Sequence, residues 1–456
     1  MAPNRERLPW TVQESALPAL PAGSEVELEL LDLLRHLPGR RSVWRAQHEG
    51  RDLLLKAYDV HSKQARDADR EWTMAKKLAN AGLKVAKPLF NARHDDGRLG
   101  VAFTFLPNGE TLHTRVDADT LHELFQLVAA QHDAGFYQTD NHLGNYLATG
   151  SGLVMLDAGT CQSASKPLTK RERVRNLAIL CATIPLRKRS LMHQALSGYF
   201  KASRAIEDSP SVRGLLARAT RKAVDARLRR YEKKTRRTCT EFVHEEDQGR
   251  RWWACRHLEA SLAEKLREHP NAFFDGQPLL KDGNTCTVVR LTHEGSPYVL
   301  KRYNPKGLGY RLRHALTMPR ALRSWSHGHA LRSSGVATPR PMACYLIYDS
   351  ILLREAYLLM EEVVGVSLHE SPRPETMASA YASLREELQL LHATHGDMKA
   401  SNFIAAKDDT LTLIDLDSFC FHRTNWSYQH QAKRDRERFL KNWRKTPNVL
   451  AAFRDA

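Results

Sequence analysis

Asp397, Lys399 and Asn402 stand within six positions of one another in the segment HGDMKASNFI, His395–Ile404. That order suits the transfer of a phosphoryl group. An Asp held in a loop can accept the proton of an attacking hydroxyl, the Lys399 ammonium can neutralise charge developing on the transferred group, and the Asn402 amide oxygen can ligate Mg²⁺. Thirteen positions after Asn402, the apolar run LTLID ends in Asp415, a hard oxygen ligand able to bridge Mg²⁺ to phosphate. Asp417, two residues on, ranks second as a ligand.

The same order recurs upstream. TDNHLGNYL, Thr139–Leu147, carries Asp140, His142 and Asn145, and LVMLD ends in Asp157. Asp140 is the expected base or hydroxyl orienter, and Asn145 and Asp157 are the expected metal ligands. His142 stands where the other copy has Lys399, and its charge depends on protonation. Upstream of each set a strand-like run carries a lysine, Lys56 in LLLKAYD and Lys301 in YVLKRYN, both expected to grip the α and β phosphates of a nucleotide. Glu71, in REWTMAKKL, is well placed to hold Lys56, but it lies eleven residues before Gly82, and the same count back from Gly335 gives Ser324. The second copy therefore lacks an obvious helix Glu. A glycine-rich phosphate loop is weak in both copies, since LPGRRSVWRAQHEG and LKDGNTCTVVRLTHEG offer few glycines.

The elements that must position these groups are legible in the same repeat. Leu121–Phe136 and Ser383–Gly396 have apolar residues at helical spacing and run into the two polar loops. NAGLKVAKPL and SSGVATPRPM each read as a helix, a Gly stop and a turn into a strand. Offsets between matching residues are 245 for the lysines, 257 for Asp140 and Asp397, and 258 for Asp157 and Asp415. Nearly constant offsets argue for a duplication, with a first domain over 1–235, closing in a basic helix that includes the run Arg227–Cys239, and a second over 236–456.

The 456 residues exceed what one core accommodates, and 42% hydrophobic with 27% charged residues is a soluble globular composition. No run approaches a membrane span, and the polar start MAPNRERLPW lacks a secretory core, so a cytoplasmic protein is expected. Seven cysteines without paired spacing read as reduced thiols. A formal charge of +17 calls for an acidic partner: nucleic acid, an anionic membrane surface or a phosphorylated glycolipid. No nucleic-acid motif accompanies the basic run, so nucleic acid is not expected. Trp252 and Trp253 suit either an interface or the core.

Across YVLKRYN, RALRSWSHGHALRSSGVATPRP, THGDMKASNF and LIDLD, with EWTMAKKLANAGLKVAKPL and the Asp140 loop in support, the chain resembles the lipopolysaccharide core kinases. These Kdo and heptose kinases have a protein-kinase-like fold. The resemblance implies an α+β protein of two tandem bilobal protein-kinase-like domains, each with a sheet lobe and a helical lobe. It implies ATP and Mg²⁺ as cofactors and an inner-core sugar of the lipopolysaccharide glycolipid as acceptor. It also implies peripheral work at the anionic cytoplasmic face of the inner membrane, without a transmembrane helix. RSWSHGH looks like a family variant without the helix Glu. The missing Glu in one copy and missing Lys in the other leave open that a domain is a pseudokinase acting as a binding module.

Overall fold

The computed structural model describes residues 6–113, 116–304, 317–406 and 408–456. The chain forms two compact units, residues 1–184 with 188–223, and residues 185–187 with 224–456.

In the first unit, β1 (Glu6–Ser15), β2 (Glu25–Leu37), β3 (Arg41–His48), β4 (Arg51–Tyr58), β5 (Pro88–His94) and β6 (Leu99–Thr104) form an antiparallel barrel. Its strand order is β1-β2-β3-β4-β6-β5, closed by pairing of β1 with β5. Closure removes the open edges an unclosed sheet would present. Strand alternation sends Trp10, Val12, Val26, Leu28, Leu53, Leu55 and Phe90 into the barrel. The other face of β4 carries Leu54, Lys56 and Tyr58, and there it meets α1 (Ser62–Asn80). Trp72, Ala75 and Leu78 of that helix join the apolar core.

A helical portion follows, with α2 (Ala118–Asp133), α3 (Lys170–Cys181), α4 (Arg189–Ala202) and α5 (Pro210–Lys234). Asp117 and Thr120 form a capping box that starts α2, and its Leu121, Leu124, Phe125 and Val128 are buried. Between α2 and α3, the hairpin of β7 (Tyr146–Thr149) and β8 (Gly152–Met155) separates the Asp140 loop from Asp157.

The second unit opens on a sheet of seven strands. They are β9 (Phe242–Asp247), β10 (Arg250–Cys255), β11 (Leu279–Gly283), β12 (Cys286–His293), β13 (Ser296–Tyr303), β14 (Pro341–Asp349) and β15 (Leu352–Glu361). Their order is β9-β10-β14-β15-β13-β12-β11. The helix α6 (Ala260–Glu268) follows β10, and α7 (Arg320–Ser333) packs on β14 and β15. Then come α8 (Ala378–Leu390), the hairpin β16 (Phe403–Ala405) and β17 (Leu411–Leu413), α9 (Asn425–Lys441) and α10 (Pro447–Asp455).

Local parallels between the units are specific. Lys56 lies on β4 opposite Val43 and Val101, and Lys301 lies on β13 opposite Val288 and Leu358, each on an interior strand. Gly82 and Gly335 follow α1 and α7 with φ of 72° and 88°, the left-handed conformation that ends a helix at little cost only in glycine. Trp252 and Trp253 are buried in the second core rather than presented at a surface. The basic run is only partly a solvated face: Arg227 donates to Ser333 O at 2.9 Å, Lys234 pairs with Glu241, and Thr235 is fully buried.

Candidate active site

Lys56 and Glu71 form a buried pair, Nζ to Oε1 at 2.5 Å. The Lys56 ammonium also donates to Leu156 O and lies 3.6 Å from Asp157 Oδ1. Glu71 uses its second oxygen to accept from Gly159 N at 2.9 Å. A Cβ on Gly159 would lie 2.4 Å from that carboxylate oxygen, so a side chain there would displace the Glu71 carboxylate from its present place. Arg41, just past the β2–β3 turn, brings Nη2 to 3.7 Å from Asp157 Oδ2 and donates to the Tyr58 hydroxyl. The sequence reading did not single Arg41 out; the one signal was its place in the LPGRR turn.

Burial works against charge on Asp157, but Lys56 and Arg41 outweigh it and hold the carboxyl at about 2. Burial pushes Glu71 the other way, upward, in spite of Lys56, with the nearby Asp157 adding to the shift. Asn145 donates to Asp140 O at 2.8 Å, which ties the loop and leaves its amide oxygen as the group able to meet a cation. Asp140 is largely exposed, with His142 Nε2 4.0 Å away. His132, the other histidine of this region, is structural. Its ring nitrogens meet Tyr199 and Asn176 at 2.8 and 3.0 Å, and burial depresses it to about 4.

The second unit repeats the plan with one carboxylate relocated. Lys301 contacts Asp415 Oδ1 at 2.7 Å and Asp417 Oδ2 at 2.8 Å. Asp417 is in turn fixed by the Tyr303 hydroxyl at 2.7 Å and by the Ser324 hydroxyl at 3.0 Å. Ser324 is the residue at the position where the first unit's helix carries Glu71, so the anionic partner of the lysine arrives from the segment after Asp415 instead of from the helix. Asp417 thus holds the lysine, a role beside its second-ranked place as a ligand.

Burial disfavours a charged Lys301, but Tyr303, Asp417 and Asp415 outweigh it and raise its pKa. Asp415 is lowered, since Lys301, Lys281 and His395 overcome its burial. Asp415 has φ 61° and ψ 64°. A left-handed conformation is uncommon outside glycine, although Asp adopts it more readily than most residues. Asp157 lacks it, at φ −116°.

In the loop, Asn402 donates to Asp397 O at 2.8 Å, as Asn145 does to Asp140. The Asp397 carboxylate lies between two cations, Arg438 Nη2 at 2.5 Å and Lys399 Nζ at 3.4 Å. Asp435 of α9 clamps the loop from beneath, accepting from His395 N at 2.7 Å and from Gly396 N at 3.0 Å. His395 Nε2 meets Ile414 O at 2.9 Å, which links the loop to the strand leading into Asp415. In the first unit a neutral amide does comparable work, with Asn176 donating to Gln138 O at 2.6 Å.

The donor set fits a magnesium nucleotide. Asn402 and Asp415 offer hard oxygen atoms, Lys301 is a fixed cation for phosphate, and the left-handed Asp415 turns away from ordinary strand geometry. Among the described residues no group of three or more His, Cys, Asp or Glu side chains forms a metal cage by itself. No described helix is long and apolar enough to cross a membrane.

Residues 283–448 match the model of the Lipopolysaccharide kinase (Kdo/WaaP) family. Among solved structures, WaaP in complex with acyl carrier protein is similar at 21% identity and a TM-score of 0.32, over 42% of this chain and 88% of that one. A crystal structure of a kinase domain is similar at 15% identity and a TM-score of 0.27, over 33% of this chain and 58% of that one. No curated protein matches the chain.

Proposed function

We propose that this lipopolysaccharide kinase relative transfers the γ-phosphoryl group of ATP to a heptose or Kdo hydroxyl of the lipopolysaccharide inner core, working at the cytoplasmic face of the inner membrane. The chain is read as two bilobal kinase-like domains, 1–235 and 236–456, the compact units themselves dividing somewhat earlier, at 223–224, and the second carries the chemistry. The single observation behind this reading is the convergence on one site of Lys301, Asp415 and the Asn402-tied Asp397 loop.

In this reading Lys301 holds the α and β phosphates, with Asp417 keeping its ammonium in place. Asp397 orients the acceptor hydroxyl and takes its proton. Lys399 offsets charge on the transferred group. Asn402 and Asp415 would hold Mg²⁺, which would supply charge neutralisation on the phosphates. Positioning and fixed electrostatics provide most of the rate in such reactions.

For the first unit, Lys56, Glu71, Asn145 and Asp157 are proposed to hold a nucleotide and metal, with Asp140 as base. A second reading makes this unit a pseudokinase that binds glycolipid or a partner enzyme. The exposure of Asp140 and the ordinary backbone of Asp157 favour it. Mass spectrometry of core oligosaccharide from a strain lacking the protein tests the main reading: one phosphate should be missing. An unchanged core would overturn the proposed acceptor.

A further inference from the structure

Behind α7, on the second unit, lies a cavity of about 550 Å³ that takes no part in the site above. Its size falls within the range of small-molecule sites, about 300–1,000 Å³. The floor is apolar, built from Phe242, Cys255 and His329, which are 2%, 4% and 6% exposed. Arg256, Arg332 and Arg340 stand in the wall above it.

The charge there is unbalanced. Glu241, the acidic residue of the wall, is already engaged by Lys234 at 2.5 Å and by the Tyr231 hydroxyl at 2.9 Å. Glu361 reaches Arg340 only at 3.7 Å. Arg256 and Arg332 each donate to a backbone carbonyl, Cys239 O and Thr338 O, and at Arg332 the opposing effect of Arg340 exceeds the favourable one of Glu361. The groups register this field. Burial, with Arg332, Arg340 and His257, presses His329 down to about 3, and burial with Arg340 lowers Arg332 itself. Guanidinium groups that repel one another across a concave, apolar-floored site are complementary to phosphate.

Cys255 is no nucleophile in this setting, since burial pushes its thiol up to about 12. The cavity is therefore suited to binding rather than covalent capture. It is also separate from the nucleotide site. Arg332 belongs to the end of α7, whereas Ser324, which contacts Asp417, lies eight residues earlier. Eight residues of helix are about 12 Å.

We propose that this cavity binds a phosphate monoester carried on an apolar body, with Arg256, Arg332 and Arg340 on the phosphate and Phe242, Cys255 and His329 beneath the body. The test is calorimetric titration of the full chain with dihexanoyl phosphatidic acid below its micellar concentration. Dihexanoyl phosphatidylcholine and inorganic phosphate are the comparison probes. The phosphatidic acid should bind, the zwitterionic lipid should not, and inorganic phosphate should bind at least about tenfold more weakly because the floor contributes. Arg332→Ala with Arg340→Ala should weaken binding at least about tenfold, and saturating Mg²⁺–ATP should leave it unchanged. Arg256→Ala, at an exposed position, gives a second variant should the double variant fold poorly. Wild-type affinity in both the Arg256→Ala and the double variant, or loss of binding when ATP is added, would overturn the proposal. Equal binding of inorganic phosphate would overturn the apolar part of it.

Discussion

The Lys301 ammonium lies 2.8 Å from the Asp417 carboxylate, while the helix position that supplies Glu71 in the first unit holds Ser324. Lysine and carboxylate therefore remain paired, although the carboxylate has moved from a helix to the segment that also carries Asp415. On this arrangement, Asp415 can turn to a metal while Asp417 retains the lysine.

Asp417→Asn should reduce affinity for Mg²⁺–ATP by about tenfold, because one charged contact to a buried lysine is lost. Adding Ser324→Glu should recover part of the loss by restoring a helix carboxylate. Titration with a fluorescent ATP analogue checks both variants without need of an acceptor. Wild-type affinity in Asp417→Asn would remove Asp417 from the role.

Glu71 is 1% exposed and its partner Lys56 is 6% exposed. Removing one member of a buried pair leaves an uncompensated charge, so Glu71→Ala should destabilise the first unit by about 3 kcal/mol. Replacing both, Lys56→Met with Glu71→Leu, should cost less than either single change. Denaturant unfolding of the variants measures this difference.

Asp435 accepts the backbone N–H groups of both His395 and Gly396. Asp435→Asn should lower stability by about 1.5–3 kcal/mol, the scale of hydrogen bonds to a charged group. It should also reduce kcat more than it changes the KM for ATP, because the loop that carries Asp397 loosens while Lys301 is untouched. Steady-state kinetics against ATP separates the two effects.

Acidification should weaken the fold through two buried histidines. Burial holds His132 at about 4 and His327 at about 3, against an ordinary value of 6.5. Both histidines are kept neutral in the folded chain, so the unfolded chain takes up protons first. Their contribution is fully present above pH 6.5 and declines as pH falls from there toward the folded values. Thermal midpoints should drop over that window, and His132→Gln should make the decline shallower.

Much of the site was legible because its residues are close in sequence. Asp397 and Asn402 are tied through one hydrogen bond five positions apart, as are Asp140 and Asn145, and that local geometry leaves a readable spacing. Lys56 with Glu71 could be read from a strand followed by a helix. Asp417 as the partner of Lys301 could not, because a contact 116 residues apart depends on how the chain packs and on the shortness of Ser324. Arg41 and Arg438 escaped notice for the same reason, each being an ordinary basic residue until folding sets it beside Asp157 or Asp397. Closure of the first sheet into a barrel likewise rests on the pairing of β1 with β5, which no local pattern specifies.

The most direct test of the account is phosphate transfer from γ-labelled ATP to purified core oligosaccharide by the intact chain and by Asp397→Asn and Asp140→Asn variants. The account predicts transfer by the wild type, a loss of about 10²-fold or more in Asp397→Asn, and a smaller effect in Asp140→Asn. Full activity in Asp397→Asn would contradict it.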